Sequence, residues 1–255
     1  ELHAILSILE VHNIVESNLI EFYATCGLLQ EAQEVFDEVS IHEVVSWTSL
    51  IKGYAMSGYN EDALSCFGKM QDEGVSPDAV TYVCVLKACK SVRPVKGIEL
   101  HAEIWRKGLI ETDSIVGNVL IDMYASFGLI FEARSVFDTL PERDVFSWSA
   151  LIAAFVDHEC NEDAIELFHE MQSEEGISPD GIAFSCALKA CSGMGAANKG
   201  QEIHVEIMRK GILEGYIPVG NALVDMYINS GMLADAQEVL INLPIRDTTS
   251  WTTQV

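Results

Sequence analysis

The chain of 255 residues is short of positive charge, with 15 lysines and arginines against 39 aspartates and glutamates and a formal net charge of −24. Proteins that bind nucleic acids usually gain affinity from lysine and arginine side chains that displace counterions from the phosphates. A negative summed field works against such binding, although it leaves room for a local surface of different charge. Composition alone therefore favours a protein partner over a nucleic acid.

The seven cysteines lack the spacing of a metal or redox site. No Cys-x-x-Cys pair occurs, so zinc ribbons and thioredoxin-like centres have no support. Cys84 and Cys89, like Cys186 and Cys191, are five residues apart. Five residues turn a helix by about 140°, which prevents either pair from clamping one ion. We interpret the cysteines as reduced core residues and expect neither a metal nor a cofactor.

Long apolar runs are also missing. A membrane-spanning helix needs roughly 20 successive apolar residues, and residues 150–156 form one of the longest runs here. We therefore expect no membrane insertion, while the 49% apolar content excludes disorder and suffices for a sizeable core. The sequence opens at Glu1 without an initiator methionine or a leader, and we interpret it as a segment of a longer protein.

What the sequence does contain is an internal repeat of about 102 residues. Trp47, Trp148 and Trp251 lie 101 and 103 residues apart, each within a Ser-Trp-Thr/Ser string. Residues 44–54 read VVSWTSLIKGY, and residues 145–155 read VFSWSALIAAF. The strings LKAC and GNxLxDMY also recur in the same order and at the same spacing. A fixed period of this kind is the signature of a repeat array.

Each long repeat divides into three shorter units, as residues 44–78 illustrate. Trp47, Leu50, Ile51 and Tyr54 follow the apolar period of one helix, and a second apolar stripe follows after Gly58. Two helices of roughly 12 residues cannot bury their faces alone, so neighbouring units must stack.

These residues resemble the pentatricopeptide repeat family, in particular its subclass with alternating P, L and S motifs in plant and algal organelle proteins. The resemblance implies an all-α, right-handed superhelical solenoid of helix–turn–helix repeats and a mitochondrial or chloroplast location. The implied repeats form one solenoid domain: a partial L motif at 1–12, S at 13–43, P at 44–78, L at 79–113, S at 114–144, P at 145–180, L at 181–216, S at 217–247, and the start of a P motif at 248–255.

The resemblance also implies single-stranded RNA as the partner, read at about one base per repeat. The fifth and last residues of each P or S motif are then the base-reading side chains. These pairs are Thr48 with Asp78, Asn118 with Asp144, Ser149 with Asp180, and Asn221 with Asp247. In the family, Asn with Asp is typical of uracil and Thr with Asp of guanine, and Ser with Asp leans to guanine.

Three further pairs occupy the same positions but depart from the family's usual combinations, and they are secondary candidates. They are Ser17 with Glu43, Val83 with Asp113, and Ser185 with Tyr216. Val83 offers no polar atom to a base.

A purely structural role competes with each of these readings. A terminal aspartate is a good N-cap for the next helix, and Asn118 and Asn221 could cap a helix after the glycines that precede them. The tryptophans are expected to pack in the core rather than stack on bases. His101 and His204 occupy one repeated position about 100 residues apart, so they cannot converge on a site.

Two functional hypotheses follow. The first is a non-catalytic organellar RNA-binding protein that serves RNA processing, editing or stability. The alternative, favoured by the acidity, is a protein-binding scaffold or structural subunit of a large organelle assembly such as a ribosome or membrane complex. No nucleophile, base and orienting group come together in the sequence, so no enzymatic activity is expected.

Overall fold

A computed structural model describes residues 15–39, 42–90 and 94–243, without the side chain of Glu214. Within these ranges all regular structure is helical, as the sequence predicts. The helices are α1 (residues 15–25), α2 (Leu29–Glu38), α3 (Val44–Met56), α4 (Asn60–Asp72), α5 (Ala79–Cys89), α6 (Pro94–Arg106), α7 (Leu109–Thr112), α8 (Ser114–Ser126), α9 (Ile130–Thr139), α10 (Val145–Asp157), α11 (Asn161–Ser173), α12 (Gly181–Met194), α13 (Ala197–Lys210), α14 (Ile217–Asn229) and α15 (Leu233–Asn242), with a 3-10 turn at Ile212–Glu214.

Most helices come in antiparallel pairs joined by a tight turn, with the short α7 and the 3-10 turn as extra elements before α8 and α14. We call α1, α3, α5, α8, α10, α12 and α14 the first helices, and α2, α4, α6, α9, α11, α13 and α15 the second helices. Glycine ends the first helix of the pair α3–α4, where Gly58 has a φ of 82°. That left-handed conformation is strained for side chains with a Cβ atom, which explains the glycine.

The chain divides into two compact units, Glu1–Met123 and Tyr124–Val255. In the first unit, α3 packs on its own second helix α4 and on the next first helix α5. Helix α2 packs on α3, and α5 on α6. Trp47, Leu50 and Ile51 are almost fully buried, because their spacing places them on the faces that these neighbours cover.

The second unit repeats the same scheme. Helix α10 packs on α11 and on α12, and α12 packs on α13 and α14. The equivalent core residues Trp148, Leu151 and Ile152 are buried to the same degree. The first helices α3, α10 and α12 therefore each contact their own partner helix and the first helix of the next repeat, which is the stacking expected of repeats that cannot fold alone.

An edge-to-face aromatic pair lies at four junctions between successive repeats. In each pair a phenylalanine of a second helix meets an aromatic ring of the next first helix, with ring centroids 4.6 to 6.0 Å apart. The pairs are Phe36–Trp47, Phe67–Tyr82, Phe137–Trp148 and Phe168–Phe184. Such a pair adds about 0.5–1.5 kcal/mol beyond the burial of its apolar area.

Candidate nucleic-acid interface

The seven candidate residues at the fifth position all lie within the first helices. The hydroxyl residues Ser17, Thr48 and Ser149 are buried, with exposed fractions of 6%, 8% and 3%. The other four are half-buried: Val83, Asn118, Ser185 and Asn221. The hydroxyls of Ser17, Thr48 and Ser149 are therefore covered more deeply than a freely accessible surface site would be.

Two of the buried hydroxyls bond to the third residue of the following repeat. The Oγ atom of Ser17 lies 2.9 Å from the Oγ atom of Ser46. The Oγ1 atom of Thr48 lies 2.6 Å from the Oγ1 atom of Thr81. Ser149 instead donates directly to Asp180 Oδ1 at 3.0 Å, which joins the fifth and last residues of one predicted motif.

Three of the terminal aspartates cap the next first helix. Asp78 accepts a hydrogen bond from the backbone N–H of Thr81, Asp144 from that of Ser147, and Asp180 from that of Ala183. The capping role considered from the sequence is therefore confirmed for these three aspartates. Asp78 is exposed, whereas Asp144 and Asp180 are half-buried.

The suggestion that Asn118 and Asn221 cap helices is wrong. Both lie inside α8 and α14, four residues after the helix begins. The preceding glycine marks close packing and not a break: a Cβ atom at Gly220 would lie 2.4 Å from Leu243 Cδ2. The amides of Asn118 and Asn221 therefore sit on the helix face that carries the buried hydroxyls elsewhere.

The secondary candidate residues make different contacts from the residues described above. Ser185 donates its hydroxyl to the carbonyl of Gly181 in its own helix at 2.8 Å. The half-buried Tyr216 lies so close to Gly181 that a Cβ atom there would be 2.5 Å from its ring. Asp113 accepts the backbone N–H of Ile115 at 2.9 Å.

Two predicted site residues remain. Glu43 is exposed ahead of α3 and makes no side-chain capping bond there. Asp247, the partner predicted for Asn221, lies outside the described residues.

An exposed apolar residue at the second position of five of the first helices was missed by sequence reasoning. The residues are Val45 at 55% exposure, Val80 at 55%, Ile115 at 60%, Phe146 at 69% and Ile182 at 43%. The second and fifth residues are three apart on a helix, so they are neighbours on one face. A base that reached the fifth residue would therefore meet an apolar surface suited to stacking. The signal was present as a recurring apolar residue one place into each repeat.

The negative charge is distributed unevenly between the two kinds of helix. The seven first helices hold five acidic residues and three lysines, whereas the seven second helices hold 19 acidic and seven basic residues. The first helices themselves are therefore close to neutral, but the candidate acids Glu43, Asp78, Asp113, Asp144 and Asp180 directly precede them and add negative charge. The candidate residues thus do not form the basic groove typical of RNA-binding proteins.

Lysines near this face are largely neutralised by carboxylates of neighbouring repeats. Lys52 Nζ lies 3.4 Å from Glu21 Oε1, and Lys189 Nζ lies 2.9 Å from Asp157 Oδ1. These ion pairs leave few free cations for phosphates. Any RNA affinity of this segment must therefore depend mainly on stacking and hydrogen bonds.

The residues set aside as structural behave accordingly. Trp47 and Trp148 are 2% exposed, which confirms core packing, while Trp251 lies outside the described ranges. His101 and His204 are half-buried, and burial lowers the pKa of both.

Burial raises the pKa of Cys89 and Cys191 to about 11, so these thiols stay protonated near neutral pH. In the part of the chain that the structure describes, no cluster of three His, Cys, Asp or Glu residues could hold a metal ion. Nor is any helix there long and apolar enough to cross a membrane.

Comparison with family models agrees with this architecture. The PPR repeat family model matches residues 42–91 and 143–193, and a second PPR repeat model matches residues 17–40 and 118–145, together more than half of the chain. The chain belongs to the pentatricopeptide repeat family. The assignment of individual repeats to P, L and S types remains a prediction.

Curated relatives from Arabidopsis thaliana cover nearly the whole chain. A putative mitochondrial pentatricopeptide repeat-containing protein is 36% identical over 242 residues, which are 93% of this chain and 37% of the relative. A chloroplastic pentatricopeptide repeat-containing protein is 35% identical over 240 residues, or 93% of this chain and 44% of the relative. The chain thus spans about two fifths of the length of these relatives.

The fold also matches a solved pentatricopeptide repeat structure. The crystal structure of PPR10 in complex with an 18-nt psaJ RNA element aligns with a TM-score of 0.77 at 16% identity, covering 94% of this chain and 36% of that protein. At this identity the match establishes the solenoid fold of stacked helix–turn–helix repeats predicted from the sequence.

Proposed function

We propose that this chain binds single-stranded RNA in a mitochondrion or chloroplast, at about one base per repeat, and does so without catalysis. The observation that carries the proposal is the repeated arrangement of an exposed apolar second residue beside a polar fifth residue and a terminal acid. Val45 with Thr48 and Asp78 forms one such set. An apolar surface for stacking beside hydrogen-bonding groups is what recognition of unpaired bases requires.

The related proteins support the proposal. PPR10 was crystallised with an RNA element, and the curated relatives include mitochondrial and chloroplastic proteins. The near-neutral charge of the first helices weakens the objection raised by the net charge of −24, because only five of the 39 acidic residues lie on the first helices and 19 lie on the second helices.

The scarcity of unpaired lysines on the first helices also predicts how binding depends on salt. A protein that neutralises many phosphates loses affinity steeply as salt rises. Because Lys52 and Lys189 are already paired with carboxylates, we expect a shallow slope, equivalent to about one or two released counterions. Affinity should then follow base identity more closely than ionic strength.

The test is binding of the purified chain to short RNAs across a salt series, followed by fluorescence anisotropy. The target oligonucleotide carries the order N-G-N-U-G-N-U, where N is any base, and a scrambled oligonucleotide is the control. The double variant Asn118→Ala and Asn221→Ala should lose about 1–3 kcal/mol for each base contact removed. Asn242→Ala, an exposed asparagine at the end of α15, is the matched control and should leave binding unchanged.

The competing function is a protein-binding scaffold within an organelle assembly. The observation that favours it is a set of exposed apolar residues on the second helix α6, where Val95, Ile98 and Trp105 are 70%, 47% and 55% exposed. Absence of RNA binding at low salt, where attraction to phosphates is strongest, would overturn the RNA proposal for this segment and leave the scaffold as the better account.

A further inference from the structure

We propose that Thr81 is a positioning residue that sets the base specificity of the preceding repeat, residues 44–78. Its hydroxyl lies between Thr48 and Asp78 and fixes the direction of the Thr48 hydroxyl. Thr48 and Asp78 then present hydrogen-bond acceptors alone, a combination that selects guanine. The inference rests on the proposed RNA binding and assigns a role to a residue of the next repeat.

The geometry joins the three side chains into one hydrogen-bonded chain. Thr81 Oγ1 donates to Asp78 Oδ1 at 2.7 Å, and its backbone N–H donates to the same oxygen at 2.8 Å. Thr48 Oγ1 lies 2.6 Å from Thr81 Oγ1. The backbone N–H of Asp78 also donates to Thr81 Oγ1 at 3.4 Å.

The number of available protons determines the direction of each bond. A carboxylate can only accept, so the bond to Asp78 uses the single proton of the Thr81 hydroxyl. The Thr48–Thr81 contact therefore needs the proton of Thr48, and Thr48 becomes its donor. Thr81 is fully buried, so its bonds are shielded from exchange with bulk water. The Thr48 oxygen has only lone pairs left for any further partner.

This direction determines which base edge fits. Thr48 Oγ1 and the free Oδ2 oxygen of the exposed Asp78 are both acceptors. Guanine presents two adjacent donors on its Watson–Crick edge, the N1 imino and N2 amino groups. Adenine and cytosine each place a ring-nitrogen acceptor beside their amino group, and uracil flanks one imino donor with carbonyl oxygens. Guanine is thus the base whose edge complements two acceptors.

The repeat at 145–180 shows that the hydroxyl of a fifth residue can be oriented without a hydroxyl from the next repeat. There the third residue of the following repeat is Ala183, which has no hydroxyl, and Ser149 donates straight to Asp180 Oδ1 at 3.0 Å. The direction of the Ser149 hydroxyl is therefore independent of the next repeat. Dependence on the third residue of the next repeat should therefore be absent from the repeat at 145–180.

The test measures binding of the whole chain to the oligonucleotide N-G-N-U-G-N-U with each of the four bases placed in turn at its second position. Wild-type protein should prefer guanine there by about tenfold over adenine, the size of one base-specific contact. Thr81→Val, which keeps the shape but frees the Thr48 proton, should reduce the preference to within about twofold. Thr81→Ser, which keeps the hydroxyl, should retain it.

Two controls separate positioning from a general structural effect. The guanine at the fifth position of the same oligonucleotide faces Ser149 and Asp180, and its preference should be unchanged in Thr81→Val. The double variant Thr48→Val with Thr81→Val should show no smaller guanine preference than Thr48→Val alone, because Thr81 acts on the base only through Thr48.

The outcomes distinguish this inference from the function on which it rests. A guanine preference that survives Thr81→Val, or a loss of affinity equal for all four bases, would overturn the role of Thr81 while leaving RNA binding intact. Absence of RNA binding by the wild-type protein would overturn the proposed function itself.

Discussion

The two tandem copies, residues 44–139 and 145–242, share their helices and core residues but satisfy equivalent polar atoms differently. In the second copy, Trp148 Nε1 donates to Glu174 Oε2 at 2.6 Å. In the first copy, the buried Trp47 Nε1 has no partner among the described residues, and Glu73 instead lies 3.3 Å from His42 Nδ1. The two copies are thus more alike in their apolar packing than in their hydrogen bonds.

The largest expected difference between the copies concerns this tryptophan. Trp148→Phe removes the indole donor and leaves the half-buried Glu174 without that hydrogen bond, a loss of about 1.5–3 kcal/mol for a bond to a charged group. Trp47→Phe removes a donor that has no such bond, so it should cost only the lost packing of the smaller ring. Urea unfolding of both single variants measures the two free energies. Equal losses would contradict the comparison.

A second difference concerns the approach of α1 to α3. Gly53 in the first copy corresponds to Ala154 in the second, and a Cβ atom at Gly53 would lie 2.6 Å from Ala24 Cβ and 3.2 Å from Ala24 Cα. Gly53→Ala should therefore destabilise the protein by about 1–2 kcal/mol, because overpacking outweighs the higher helix propensity of alanine. Thermal unfolding measures the effect.

The reverse change provides its control. Ala154→Gly places glycine in a helix interior and should cost about 1 kcal/mol for helix propensity alone. A rise in stability for Gly53→Ala would show that α1 and α3 are less closely packed than the structure indicates.

The smallest expected difference is electrostatic. Lys90 Nζ lies 2.6 Å from Asp122 Oδ2 in the first copy, whereas serine at 192 occupies the lysine position in the second. Asp225, the counterpart of Asp122, makes no ion pair with any residue the structure describes, and burial raises the pKa of Asp225. Because the folded state binds the proton more tightly than the unfolded chain, the carboxyl favours folding at low pH, and this contribution is lost as pH rises through the folded-state pKa.

Opposite effects of the same substitution would test this difference. At pH 7, Asp225→Asn should stabilise the protein by on the order of a few tenths of a kcal/mol, since water still reaches the side chain. That gain should shrink as pH falls towards 4. Asp122→Asn should instead destabilise by less than about 1 kcal/mol, because it breaks an exposed ion pair. Denaturation curves at both pH values measure these effects, and the same sign for both variants would contradict the account.

Much of the fold follows from the sequence, for a physical reason. Helical periodicity and self-similarity are properties of apolar side chains, whose burial depends mainly on spacing and size. The core around Trp47 and Trp148 could be predicted from this spacing. The caps at Asp78, Asp144 and Asp180 could also be predicted, because capping is a local interaction over three residues.

The candidate site was less accessible to sequence reasoning because its contacts cross between repeats. The hydrogen bond between Thr48 and Thr81 joins residues 33 apart in the sequence, and no local sequence pattern predicts it. The glycine before Asn221 suggested a helix start, but its small size serves close packing against Leu243, 23 residues further along the chain. The exposed second residues were missed because periodicity cannot tell which apolar residues a neighbouring repeat leaves uncovered.

The aromatic pairs at the repeat junctions have a consequence for how such genes can change length. Every described pair takes its phenylalanine from a second helix and accepts Trp, Tyr or Phe from the next first helix. An unequal crossover that fused the chain after α4 to the chain before α12 would place Phe67 against Phe184. That combination already exists in the fold as Phe168 with Phe184. Recombination can therefore delete or duplicate three successive repeats without requiring a new core, and an array can change its length by three repeats in one genetic event.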